Sequence, residues 1–88
     1  MRSRRARRFR DRFERLPSEI QEASRKAFRL FRENPAHPSL NFKRLTSDPR
    51  MWSARVTRDY RAVGLREGDA ITWFWIGRHE EFDRQFPS

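Results

Sequence analysis

The chain has 88 residues, enough for one domain spanning 1–88, with 35% hydrophobic side chains and a formal charge of +9 from 21 basic and 12 acidic residues. It has no cysteine, which excludes disulfides and thiolate metal sites, and no apolar run approaches the roughly 18 residues of a membrane span. The N-terminus also lacks the apolar centre of a signal peptide, so the expected location is the cytoplasm, away from membranes.

A chain this short has a thin core. Eight Phe and three Trp compensate with a large apolar area per side chain. The charge is uneven: residues 1–34 hold twelve basic and five acidic groups, residues 35–88 nine and seven. Lys26 and Lys43 are the only lysines. Arginine forks suit phosphate and carboxylate, so a polyanion or an acidic protein partner is implied. The competing reading is a merely solvated surface.

Arg2, Arg4, Arg5, Arg7, Arg8, Arg10 and Arg12 crowd the start. Ala6, Phe9, Phe13 and Leu16 then form one helical stripe, supported by the i, i+4 pairs Arg10–Glu14 and Asp11–Arg15. Cations at its beginning oppose the helix dipole, so the first residues are expected to be extended or held by a partner. Leu16-Pro17 interrupts this helix, and Pro17 suits the first turn of the next. Ile20, Ala23, Ala27, Leu30 and Phe31 continue the 3.6-residue period until Asn34-Pro35 stops it. Two helices in antiparallel contact follow.

The period then changes. After a loop over residues 35–41, Phe42-Lys43-Arg44-Leu45 begins a strand. Trp52, Ala54 and Val56 alternate with Ser53, Arg55 and Thr57, and Tyr60 to Arg66 repeat the pattern. Glu67-Gly68-Asp69 turns the chain into Ala70–Ile76, which is apolar on both faces and should be a central strand covered twice. Residues 80–86 suit a short C-terminal helix. The expected fold is α+β, with two N-terminal helices packed on a twisted antiparallel β-sheet and a short C-terminal helix.

Few residues could carry chemistry. There is no Gly-rich phosphate loop, no zinc ligand set and no Ser-His-Asp spacing, and no cofactor or metal is expected. His37 lies between Ala36 and Pro38 and reads as a turn residue. His79 lies just past the central strand, where scaffolds present reactive groups, and an imidazole can act as acid or base near neutral pH. A three-residue loop at Thr57, Arg58 and Asp59 would pair positions 56 and 60, setting Arg55 opposite Arg61 at about 5 Å. Two guanidiniums side by side repel unless a phosphate lies between them. The alternative is that Asp59 or a C-terminal glutamate pairs with one of them. Lys43 and Arg44 could extend the basic path, although one of the two must point outward. Trp73, Phe74 and Trp75 read as core rather than as base-stacking platforms.

The run LPSEIQEASRKAFRLFRENPAHPSLNFKRL, followed by MWSARVTRDYRAVGLREGDAITWFWIGRHEEFD, resembles the RelE/ParE superfamily of type II toxin–antitoxin toxins. The similarity spans roughly residues 9–84, and its most specific pieces are RDYRAVG and IGRHEEFD. It implies helices on one face of a sheet, often preceded by an N-terminal strand that only the Arg-rich start could supply here. It also implies ribosome-dependent mRNA cleavage, in which an RNA 2′-hydroxyl attacks the adjacent phosphate. Carried over by position, Arg61 contacts the scissile phosphate, Arg55 and Lys43 support it, and His79 acts as general acid or base. Arg44, Arg78 and Phe82 complete the implied RNA-binding set. Related toxins commonly have Tyr where Phe82 stands, so no proton transfer can be assigned there.

The implied partners are an acidic antitoxin, the ribosome and mRNA, with the toxin a monomer alone and a hetero-oligomer with its antitoxin. Two other functions fit the composition. A gyrase poison of ParE type shares the fold and would leave mRNA intact but break DNA. A non-catalytic nucleic-acid-binding module would show steep salt dependence and no need for His79.

Overall fold

In chain order the computed structural model, which describes residues 1–87, runs β1 (Arg2–Arg5), α1 (Arg7–Glu14), α2 (Ser18–Glu33), a 3-10 turn at Pro38–Leu40, β2 (Lys43–Arg44), β3 (Met51–Arg55), β4 (Tyr60–Glu67), β5 (Ala70–Arg78) and α3 (His79–Gln85). Ser88, the last residue of the expected domain, lies outside the described residues. The strands form one sheet in the order β1-β5-β4-β3-β2. The expected α+β architecture and antiparallel meander are present. The sheet as a whole is mixed, because β1 lies parallel to β5, from Arg2 opposite Ala70 to Arg5 opposite Trp73. With all four residues exposed, β1 suits an edge strand, where arginines discourage further pairing. Its side-chain anchor is Ser3, whose hydroxyl accepts the Trp73 indole N–H at 2.8 Å. Among the described residues, no helix is long and apolar enough to cross a membrane.

The helix stripes bury as their spacing requires. Phe9 of α1 and Phe31 of α2 are fully buried against Ala54, Ala62, Ile71, Trp73 and Ile76 of the sheet, with Phe13, Leu16, Ala27 and Leu30 at the margin. Trp73 takes Phe28 and Phe31 edge-on at centroid distances of 5.4 and 5.3 Å. Such aromatic pairs contribute about 0.5–1.5 kcal/mol each beyond the area they bury. Neither i, i+4 ion pair expected on α1 closes within 4 Å among the described residues. The open carbonyls at the end of α1 are instead satisfied from α2, where Gln21 donates to Phe13 and Leu16, both at 3.1 Å.

The hairpin of β4 and β5 turns at Gly68, whose φ of +60° favours glycine. Along this pair the register slips: Val63 faces Trp75 but Gly64 faces Trp73, which leaves Phe74 as an extra residue in β5. The slip reverses the side-chain phase. Trp73 belongs to the cluster under the helices, whereas Trp75 joins Leu45, Val63 and Phe82 on the other side of the sheet. That second side, here called the open face, is partly covered by α3 through Phe82 and Phe86. The double covering expected for this strand is thus achieved by a bulge.

Candidate functional site

Directly opposed residues in an antiparallel pair project to the same side of the sheet. Arg55 is paired with Arg61, and Ser53 with both Val63 and Lys43. Lys43, Ser53, Arg55 and Arg61 therefore share the open face with Phe82. The three-residue connection needed for this register is present, with Val56 donating to Tyr60 at 3.0 Å.

Arg61 occupies the centre. It is 6% exposed, its Nη2 donates to the Ser53 hydroxyl at 3.1 Å, and its guanidinium carbon lies 5.1 Å from the centre of the Phe82 ring. Its Nε has no hydrogen-bond partner, and no carboxylate forms an ion pair with it among the described residues. Burial lowers its pKa, the neighbouring Arg55 lowers it further, and only Asp83 acts in the opposite sense. A buried cation without a counter-ion is costly in a folded protein. Such a group attracts an anion into the space beside it.

His79 opens α3, and its backbone N–H is fixed to the Asp59 carbonyl at 2.7 Å, joining the helix to the β3–β4 turn. The half-exposed imidazole is near-parallel to the Phe82 ring, with centroids 6.1 Å apart, and its Nε2 lies 3.4 Å from an Asp83 carboxylate oxygen. Phe82 is thus the common neighbour of Arg61 and His79. Its buried ring has no hydroxyl and serves as the wall between them.

Two other candidates lie apart from this group. Arg44 is paired with Trp52 and so projects to the helical face. Arg78, paired with Tyr60, is one register position out of phase with Arg61. It lies 5.9 Å from the Tyr60 ring, and its raised pKa is due chiefly to that side chain. Arg55 is exposed at the rim. His37 accepts the Ser39 N–H at 3.2 Å as the cap of the 3-10 turn, the turn role anticipated for it.

Three residues that the sequence reading passed over complete the arrangement. Ser53 supports Arg61, and its place two residues before Arg55 on a strand was the available signal. Asp83 faces His79 at helical i, i+4 spacing. Arg12, from α1, reaches the Ile76 carbonyl and Glu81, a contact that no local spacing encodes.

Residues 18–84 match the family of ParE-like toxin domains. Among solved structures, the YoeB/ParE toxin from Agrobacterium tumefaciens is similar at 19% identity and a TM-score of 0.69, covering 90% of this chain and 99% of its own. The RelB–RelE antitoxin–toxin complex from Methanococcus jannaschii is similar at 15% identity and a TM-score of 0.75, over 96% of this chain and 99% of the other. The RelBE2 toxin–antitoxin complex from Mycobacterium tuberculosis is similar at 23% identity and a TM-score of 0.68, over 89% and 96%. No curated protein matches the chain. With the family match covering about three quarters of its length, the chain belongs to the family of ParE-like toxin domains.

Proposed function

We propose that this toxin cleaves messenger RNA on the ribosome and is inhibited by an acidic antitoxin. The observation that carries the reading is Arg61, a buried guanidinium with no carboxylate partner among the described residues, flanked by a second arginine and walled by Phe82. A phosphodiester between Arg55 and Arg61 supplies the missing negative charge. As the 2′-hydroxyl attacks phosphorus and the bond to the 5′-oxygen breaks, charge grows on the non-bridging oxygens. A preorganised guanidinium stabilises that charge more than the ground state. The products are a 2′,3′-cyclic phosphate and a 5′-hydroxyl.

Each proton must have a place to go. The 2′-hydroxyl gives one up and the 5′-oxygen takes one. His79 is the imidazole beside this group, placed to act as acid or base, with an Asp83 carboxylate oxygen 3.4 Å from its Nε2. With Phe82 lacking a hydroxyl, His79 carries one of the two transfers and the ribosomal complex or water carries the other. The antitoxin partner is supported by the similar structures solved as antitoxin–toxin complexes and by the net charge of +9. Lys43 extends the basic path for RNA along the open face.

The test is 5′-end mapping of a reporter mRNA in a reconstituted translation system. Ribosome-dependent cuts are expected, and His79→Ala and Arg61→Ala should each slow them by about 10²-fold or more. An uncut message would remove the nuclease reading. Linearised plasmid in cells making the protein would then identify gyrase as the target.

A further inference from the structure

Arg12 projects from α1 to the edge of β5 beyond the end of β1, whose last pair is Arg5 with Trp73. There its Nε donates to the Ile76 carbonyl at 2.8 Å. Its guanidinium lies over Trp75, 4.9 Å from the ring centre, and its Nη2 approaches both carboxylate oxygens of Glu81 at 3.4 Å. One side chain thus joins α1, β5 and α3. Gly77 keeps the space clear, since a Cβ there would lie 2.7 Å from the Trp75 ring and 2.9 Å from Arg12 Nη2.

What this junction holds is α3, a helix of seven residues. A helix that short is not stable alone and keeps its place only through its attachments. Apart from Arg12, these include the apolar side chains Phe82 and Phe86, the packing of Arg61 on Phe82 and the bond from His79 N–H to Asp59. Apolar contacts resist separation but not sliding or rotation. The directional contacts at the two sides of α3 fix its rotation, and with it the imidazole of His79 and the ring of Phe82.

We propose that Arg12 is a positioning residue for the active site: lying over Trp75 and holding Glu81, it sets the orientation of α3 and hence of His79 and Phe82 beside Arg61. The inference rests on the nuclease reading for its kinetic part and on geometry alone for its structural part. Misplacing a proton-transfer group by about 1 Å can cost 10²-fold in rate. An effect on the chemical step with little effect on RNA binding follows, because the contacts of Arg12 are to Ile76, Trp75 and Glu81 rather than to Lys43 or Arg55.

The experiment compares wild type, Arg12→Gln, Arg12→Lys and Glu81→Gln by amide hydrogen exchange and by single-turnover mRNA cleavage on ribosomes. Arg12→Gln should raise exchange across residues 79–86 about tenfold while β4 and β5 stay protected. It should also lower the cleavage rate about tenfold with the ribosome concentration for half-maximal rate unchanged. Glu81→Gln should do the same to a lesser degree, and Arg12→Lys should recover part of both effects. Unchanged exchange in α3 in both Arg12→Gln and Glu81→Gln would overturn the clamp, whatever the protein cleaves. Raised exchange with full cleavage would overturn the positioning role. Raised exchange in a protein whose wild type cuts no message would defeat the nuclease reading and leave the clamp standing.

Discussion

On the helical face, Trp73 is fully buried among Phe28, Phe31 and Phe42, and its indole N–H is bonded to Ser3. On the open face, Trp75 is almost as deeply buried, but among the described residues neither its indole N–H nor the Nε of Arg61, one aromatic ring away, has a hydrogen-bond partner. The helical side also has an unsatisfied group, the Ser24 hydroxyl, but it is neutral. Unfavourable free energy is thus concentrated on the open face. One side of the sheet is filled by apolar packing; the other retains a buried cation that forms no ion pair among the described residues. Such concentrations of unfavourable free energy tend to mark functional sites.

The helical side should lose the most from a single substitution. Trp73→Ala removes the ring at the centre of the larger cluster and should cost about 3–5 kcal/mol. Urea unfolding measures it. For a chain of this size that loss should approach the whole stability, and a cost below about 1 kcal/mol would show that the helical face is not the stabilising half.

Arg61→Met should act in the reverse direction. Methionine keeps the aliphatic stem and removes the buried charge, so the fold should gain about 1 kcal/mol, a rise of about 4–8 °C in Tm. The lowered pKa of Arg61 leaves it a cation in the folded and unfolded chain alike through the ordinary working range. The gain should therefore be independent of pH there. Calorimetry of the variant against wild type decides the matter: a fall in Tm would mean that Arg61 stabilises the fold.

The smallest effect belongs to the β2–β3 loop. Asp48 accepts Arg50 N–H at 2.9 Å and pairs with its guanidinium at 3.1 Å, which holds the carboxyl below its ordinary pKa. A depressed folded pKa means a contribution present above the unfolded value and lost as pH falls through the folded one. Asp48→Asn should lower Tm slightly at pH 7, and the difference from wild type should close as pH drops through the carboxylate range. Thermal scans across that range in low salt would expose a constant difference, which would exclude the ion pair as its source.

Much of this arrangement was legible in the residues. Helical spacing picked out Phe9 and Phe31, and the count across Thr57-Arg58-Asp59 placed Arg55 opposite Arg61. Local periodicity was silent where the decisive contacts are long-range. β1 has no apolar alternation, and only its ladder with β5, some seventy residues away, makes it a strand. Without the register of β2 against β3, nothing distinguished Lys43, which faces the site, from Arg44, which does not. Arg12 looked like one more member of a basic run, because its partners come from the other end of the chain.

The extra residue at Phe74 has a consequence for how β5 can vary. Before it, odd-numbered side chains face the helices; after it, even-numbered ones do, so one strand serves two layers that are read out of step. Removing Phe74 would erase the bulge and leave Trp73, Trp75 and Ile76 alternating on the faces they already occupy, whereas removing a residue from the regularly paired part would turn the side chains beyond it to the opposite face. Spacing is therefore constrained throughout this strand except at the extra residue itself, which is the one place where the strand can lose a residue and keep both layers.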